Sequence, residues 1–406
     1  MSYDFATYDK NYHTDADVVV IGAGIFGLST AYFLSRMGKK VILLEKKDVG
    51  SGASGSNEAF VWGCTRKFPV LPFYRFSQQF YTKIHETIGY DVEYINCGGY
   101  VIAESEREME LLEGWLEQRW QDGLFEMKMV YKDEFHKRLP GFSDHVMGGT
   151  YNPLEGRVNS ILVCVGFASA IRDLGNEVWT KTDVTAINMK GNKVHEVVTN
   201  RGTIRTDCVV NAAGSWAADI GKLVNIDVPV IPNRMTLLVS EPVAPFLNTV
   251  CMSAVYVFDE INKAKTQARI AAGEDVKMEA GYTYSQQAKG NILLGSTEDF
   301  VGYDRRVNFE NSKAIAKVMG DVNPPLRDKK LNVIRSFANF FPYTKDDLPV
   351  IGPVPGVEGF VMASGLNGGG MGLGIGAGYT VAQYCALGET HIPIHYFDIQ
   401  RESLYK

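Results

Sequence analysis

The chain has 406 residues, 45% of them hydrophobic and 22% charged, with a formal net charge of −6. That length exceeds a single compact core and points to two interleaved domains, while the acidic balance leaves no basic footprint for nucleic acid or anionic lipid. The six cysteines (Cys64, Cys97, Cys164, Cys208, Cys251, Cys385) form no CxxC pair, which fits a reducing compartment and argues against an iron–sulfur or zinc site.

Residues 1–16 form a polar, Tyr- and Asp-rich extension with neither a basic n-region nor an apolar h-region, so no secretion signal is read and a cytoplasmic location is expected. An apolar strand, Val18 to Ile21, then runs into Gly22-x-Gly24-x-x-Gly27, with Ile25 and Phe26 between the glycines. A helix-length stretch, Gly38, a second strand from Val41 to Leu44 and Glu45 complete a βαβ unit. Gly22 permits the tight turn, Gly24 lets backbone approach a pyrophosphate, and Gly27 allows close helix–strand packing. The helix N-terminus offers free N–H groups to phosphate. Glu45 stands 18 residues beyond Gly27, placed to accept hydrogen bonds from a ribose and to repel a 2′-phosphate. This unit predicts a dinucleotide site without choosing the dinucleotide.

Residues 50–57 are small and rich in hydroxyls and backbone donors, which reads as a second phosphate or ring cradle. Helices are predicted over 71–90 and 105–122, with a strand over 94–103 turning at Gly98-Gly99. An apolar helix over 161–170 leads into strands over 178–189, 194–199 and 203–210, punctuated by Gly191-Asn192 and Asn200-Arg201-Gly202. The last strand breaks into Asn211-Ala212-Ala213-Gly214-Ser215-Trp216. Residues 228–240 and 291–296 read as strands of a different sheet, separated by a charged, helix-prone insertion over 259–279. A Pro/Gly-bounded strand over 360–363, a glycine-rich run and a helix over 377–387 close the pattern. Two uncharged stretches, 18–35 and 359–388, reach membrane-span length. The first is the nucleotide motif, and the second holds ten glycines and an Asn, so no transmembrane segment is expected.

Together these motifs resemble the D-amino-acid-oxidase-like family of FAD-dependent amine and amino-acid oxidoreductases. The likeness is greatest to the branch of glycine oxidase, sarcosine oxidase β subunits and the flavoprotein subunits of dye-linked proline, hydroxyproline and opine dehydrogenases. It extends from about Asp17 to Leu387 and rests on the Gly22–Glu45 unit, on Gly52–Asn57 and on Val210–Trp216. A fourth match runs from Arg335 through Pro342, Thr344, Asp346 and Pro349 to Gly352, followed by Gly359-Phe360 and Ala363-Ser364-Gly365. The resemblance implies an α/β fold in which a Rossmann-like FAD domain (17–93, 150–225 and 330–390) interleaves with an α+β, antiparallel-sheet substrate domain (94–149 and 226–329), with a tail over 391–406. It implies non-covalent FAD, and neither Cys64 nor Cys385 is expected to attach it.

By the same matching, Gly22, Gly24, Ile25, Phe26, Gly27, Glu45 and Lys46 would hold the ADP half. Gly52, Ala53, Ser54, Ser56 and Asn57 would line the pyrophosphate and ring, and Val184 would meet the adenine. Ala212, Ala213, Gly214 and Trp216 would pass the ribityl or pyrophosphate, and Gly365 with Gly368, Gly369, Gly370, Met371 and Gly372 would face the flavin. On the substrate side, glycine oxidase carries a carboxylate-clamping arginine where this chain has Phe341, and the family's frequent histidine is replaced by Leu366 and Asn367. Either Arg335, Arg234 or Arg66 takes over the clamp, or the substrate is an amine with no nearby carboxylate; Tyr284, Gln286 and Gln287 are further polar candidates.

The implied reaction is oxidation of an amine or amino acid, a secondary amine foremost, by hydride transfer to flavin N5. It needs positioning and desolvation more than acid–base machinery, and the seven dispersed histidines accordingly read as structural or surface residues. Electrons would pass to a partner subunit or to oxygen, in a chain expected to form oligomers and to bind no metal. The alternatives are oxidation of a 2-hydroxy acid, and a flavin-bearing electron-transfer subunit without substrate chemistry of its own.

Overall fold

The computed structural model describes residues 12–258 and 281–406. Val18–Ile21 and Val41–Leu44 are apolar at every position, buried throughout, and paired in parallel, as strands covered on both faces must be. Val209–Asn211 extends this pairing on one side and Val357–Ser364 lies beyond it, while Glu177–Trp179 flanks Val41–Leu44. They form the centre of a ten-stranded sheet whose other members include the antiparallel pair Val184–Lys190 and Lys193–Thr199.

The helix Ile25–Arg36 is buried along almost its whole length because the C-terminal helix Gly370–Leu387 lies directly on it. Glycine makes that approach feasible. A Cβ at Gly374 would stand 2.8 Å from the Ile25 side chain, and the Ser29 hydroxyl instead donates to the Gly374 carbonyl at 2.8 Å. The C-terminal helix begins at Gly370, within the glycine-rich run, rather than near residue 377.

The second sheet has eight strands in the order Val333–Tyr343, Ile231–Ser240, Ile292–Asp299, Thr283–Gln286, Val250–Ser253, Gly99–Ala103, Gly148–Asn152 and Lys128–Tyr131. It is antiparallel apart from one parallel pair, Val250–Ser253 with Gly99–Ala103. Two domain boundaries are corrected by these hydrogen bonds. Val333–Tyr343, assigned by motif to the FAD domain, pairs along Ile231–Ser240, and Gly148–Asn152 lies inside the same sheet.

Tyr12–Asp15, at the end of the polar extension, pairs in parallel with Gly202–Arg205. In the tail, Arg401 makes a two-pronged ion pair to Asp346 at 2.6 and 2.9 Å, and Phe397 is fully buried. The expected helical insertion over 259–279 lies outside the described residues. Among the described residues, no helix is long and apolar enough to cross a membrane.

Candidate active site

A cavity of about 620 Å³ lies between the carboxyl ends of the central parallel strands and the second sheet, the position where open α/β sheets take ligands. Its nucleotide side is built by the βαβ turn. Gly22 has φ +110°, and a Cβ there would stand 2.4 Å from the Ala212 carbonyl oxygen; a Cβ at Gly27 would collide with the Gly22 carbonyl. The turn is thus closed to any side chain. Glu45 stabilises it, its Oε2 accepting from the Ala23 amide at 3.0 Å and its Oε1 from the Lys47 amide at 2.8 Å. Ser54 crosses from the second loop so that its Oγ accepts from the Ile25 amide at 2.9 Å, at the start of the helix.

Of the residues expected to hold the cofactor, Gly22, Gly24, Ile25, Phe26, Glu45, Lys46, Gly52, Ala53, Ser54, Asn57 and Val184 line this cavity. So do Ala212, Ala213, Gly214, Trp216, Gly365, Gly368, Gly369, Gly370 and Met371. Gly27, Ser56 and Gly372 do not. Gly27 and Gly372 act in packing, the latter against the Trp62 carbonyl oxygen. The Lys46 ammonium lies 4.4 Å over the Trp216 ring, and burial lowers its proton affinity. Trp216 in turn stacks on Tyr303, with ring centroids 5.6 Å apart.

The substrate-side expectations fare differently. Phe341 lines the cavity as part of an apolar wall with Met235. Asn367 also reaches the wall, but its side-chain amide is committed: Oδ1 accepts from the Thr344 amide at 2.9 Å and Nδ2 donates to the Thr344 hydroxyl at 3.0 Å. Tyr284, Gln286 and Arg335 do not line the cavity and are corrected here. Tyr284 is fully buried in the opposite core against Phe142. Gln286 clamps a loop, accepting from the Phe246 and Leu247 amides and donating to three carbonyls. Arg335 is exposed, its guanidinium over Phe337. Gln287 bonds the Ser285 hydroxyl at 2.8 Å.

The physical reason is register. Successive strand residues face opposite sides, and it is Thr283 that reaches the cavity, while the Ser285 hydroxyl bonds the Glu58 carbonyl oxygen, with Tyr284 and Gln286 turned away.

Of the three arginines considered for the carboxylate clamp, Arg234 is spent on Asp299 at 3.0 Å and on two carbonyls. Arg66 alone of the three lines the cavity. Cβ atoms on Gly368 and Gly369 would lie 3.3 and 3.2 Å from its guanidinium nitrogens. Its nearest acid, Asp347, is 3.8 Å away, and its buried Nε has no hydrogen-bond partner among the described residues.

The motif reading missed Glu58, Thr283, Ser296 and Glu298, which line the same chamber as Tyr256. A signal was available for Glu58, the one charged residue between a glycine-rich loop and a buried apolar strand, Phe60–Val61. Cys64 and Cys385 are not on the wall. Among the described residues no cluster of three or more His, Cys, Asp or Glu side chains is arranged to hold a metal ion.

A family model described as FAD dependent oxidoreductase (DAO) matches residues 17–384. The chain belongs to this family. It is 24% identical over 382 residues to sarcosine oxidase subunit beta of Rhodobacter capsulatus, covering 92% of this chain and 85% of that protein. It is 25% identical to glycine oxidase of Pseudomonas aeruginosa, covering 86% and 88%. Among solved structures, L-proline dehydrogenase from P. horikoshii superposes with a TM-score of 0.84 over 96% of this chain and 98% of that one, at 22% identity.

The protein is therefore an FAD-dependent oxidoreductase, and its cavity fits the cofactor. Side-chain-free turns at Gly22 and Gly24, a helix N-terminus opening onto the cavity and an acid at Glu45 suit the ADP half. The second helix N-terminus, at Gly370, opens onto the same cavity beside Arg66, so two sources of positive potential face that end.

Proposed function

We propose that this oxidoreductase converts an amine or amino acid, a secondary amine foremost, to the corresponding imine and hands the electrons to a partner protein or to oxygen. The observation that carries the reading is Arg66, a cavity-lining guanidinium whose buried Nε has no hydrogen-bond partner among the described residues. It supplies the planar, two-pronged donor that a substrate carboxylate needs, in place of the arginine absent at Phe341. Bound FAD supplies the hydride acceptor. The chain's own residues bind and desolvate: Phe341, Met235 and Trp62 exclude water, and Arg66 fixes the carboxylate end.

Two relatives support the substrate class, since sarcosine oxidase subunit beta and glycine oxidase are named for an N-methylated and a simple amino acid. The former is also named as a subunit, which supports a partner for this chain. Replacing Arg66→Met tests the assignment. KM for amino acids is expected to rise about 100-fold, with little change for amines that lack a carboxylate. An equal loss on both substrate types would contradict it and place Arg66 with the cofactor.

A further inference from the structure

We propose that Glu58 is the seat for the protonated nitrogen of the substrate, which makes the chamber selective for amines over hydroxy acids; this rests on the amine reading above. Glu58 follows the second glycine-rich loop and reaches across to the second sheet. Its carbonyl oxygen accepts from the Ser285 hydroxyl at 3.2 Å, and its Oε1 lies 3.5 Å from the Thr283 hydroxyl. The sheet makes room for the carboxylate at Gly295, where a Cβ would stand 3.2 Å from Oε1.

Three carboxylates line this end of the cavity, and two are already engaged. Glu298 accepts from the Asn233 amide at 2.9 Å, and Asp347 faces Arg66 at 3.8 Å. Glu58 has only hydroxyls as side-chain hydrogen-bond partners, Thr283 and Ser296, and makes no ion pair among the described residues. Burial pushes its carboxyl above the ordinary range and outweighs the hydrogen bonds of its own backbone amide, Ser296 and Thr283 and the pull of Arg66, so its ionised form stays under-compensated until a further cation arrives. Arg66 is the cation that acts on it from the same chamber.

A carboxylate acceptor and a guanidinium donor sharing one chamber complement the ammonium and carboxylate of a zwitterion. A 2-hydroxy acid satisfies the second and leaves the first unpaired, the situation in which a polar site discriminates most strongly.

Two carboxylates of the same shape test this: (trimethylammonio)acetate and 3,3-dimethylbutanoate differ only in whether a quaternary nitrogen or a carbon sits at the branch point. Calorimetric titration of the FAD-loaded protein should show the zwitterionic probe binding at least about tenfold more tightly. Glu58→Gln should abolish that preference without weakening binding of 3,3-dimethylbutanoate, and Glu58→Asp should keep part of it. Equal affinities in the unmodified protein, or a preference unchanged in Glu58→Gln, would overturn the seat while leaving the Arg66 anchor standing. Binding of neither probe would overturn both. The comparison within the unmodified protein decides the matter even if the glutamine variant fails to retain FAD.

Discussion

Glu45 has a duty before any ligand arrives, since its two oxygens hold the Ala23 and Lys47 amides. Removing that carboxylate loosens the turn as well as a ribose contact. Glu45→Ala is expected to weaken FAD about 10- to 100-fold, from one or two lost charge-assisted hydrogen bonds, a change that fluorescence titration of the apoprotein can read. Glu155 poses a different residue-scale question. It is completely buried, accepts from the Gly63 and Cys64 amides and from Asn152, and has its pKa pushed up to about 7 by burial.

Because the folded-state value lies above the ordinary 4.5, the protonated carboxyl favours the folded chain. That contribution is complete below pH 4.5 and is lost as the pH rises through about 7. Denaturant unfolding should therefore show stability falling across this window, by on the order of a few kcal/mol. Glu155→Gln, uncharged throughout, should flatten the curve; an unchanged slope would contradict the assignment. Glu155 was not legible as a site in the sequence, and Glu58 showed only in its place between a glycine-rich loop and an apolar strand. Each owes its environment to contacts made far along the chain, Glu58 to Thr283 and Ser285 and Glu155 to Gly63 and Cys64.

At the scale of elements, the nucleotide unit could be read almost to the residue. Its strands, its glycine spacing and its acid all lie within one short segment whose periodicity is local. The C-terminal helix could not. Glycines at 370, 372, 374, 376 and 378 argue against helix, each costing about 1 kcal/mol relative to alanine, and only tertiary packing explains why the helix forms there. A Cβ at Gly376 would stand 2.4 Å from the Phe73 carbonyl oxygen, and one at Gly378 would strike the Ser29 hydroxyl.

Gly376→Ala should consequently destabilise the protein by about 2 kcal/mol despite alanine's better helix propensity, because backbone must move to admit the methyl group. A raised unfolding midpoint would refute the packing argument. The strand Thr283–Gln286 shows a second limit. Its face was not readable, since alternation fixes which residues share a side and leaves open which side meets the cavity. The fourth motif misled in another way. One continuous resemblance from Arg335 to Gly352 spans a strand of the second sheet and a strand of the first, so domain membership followed hydrogen bonding rather than motif continuity.

At the scale of the whole molecule, the two sheets meet at one cavity, with the βαβ turn and the Gly365–Met371 loop on one side and Thr283, Ser296 and Phe341 on the other. A ligand filling it touches both units. FAD should therefore stabilise the two sheets together, giving one cooperative unfolding transition raised on the order of 4 kcal/mol at a thousandfold excess over Kd. Two transitions, only one of them sensitive to FAD, would contradict that coupling. The interleaved architecture was implied by the resemblance, which four separated motifs carry, whereas Thr283 and Ser296 of the substrate chamber lie on strands outside those motifs.

The central claim is that this cavity oxidises amines, and anaerobic mixing of the FAD-loaded protein with matched panels of secondary amines, amino acids and 2-hydroxy acids tests it most directly. The account predicts that the flavin's visible absorbance bleaches with at least one amine or amino acid and stays unchanged with its hydroxy-acid counterpart. Bleaching by hydroxy acids alone, or by no member of the panels while FAD remains bound, would contradict it.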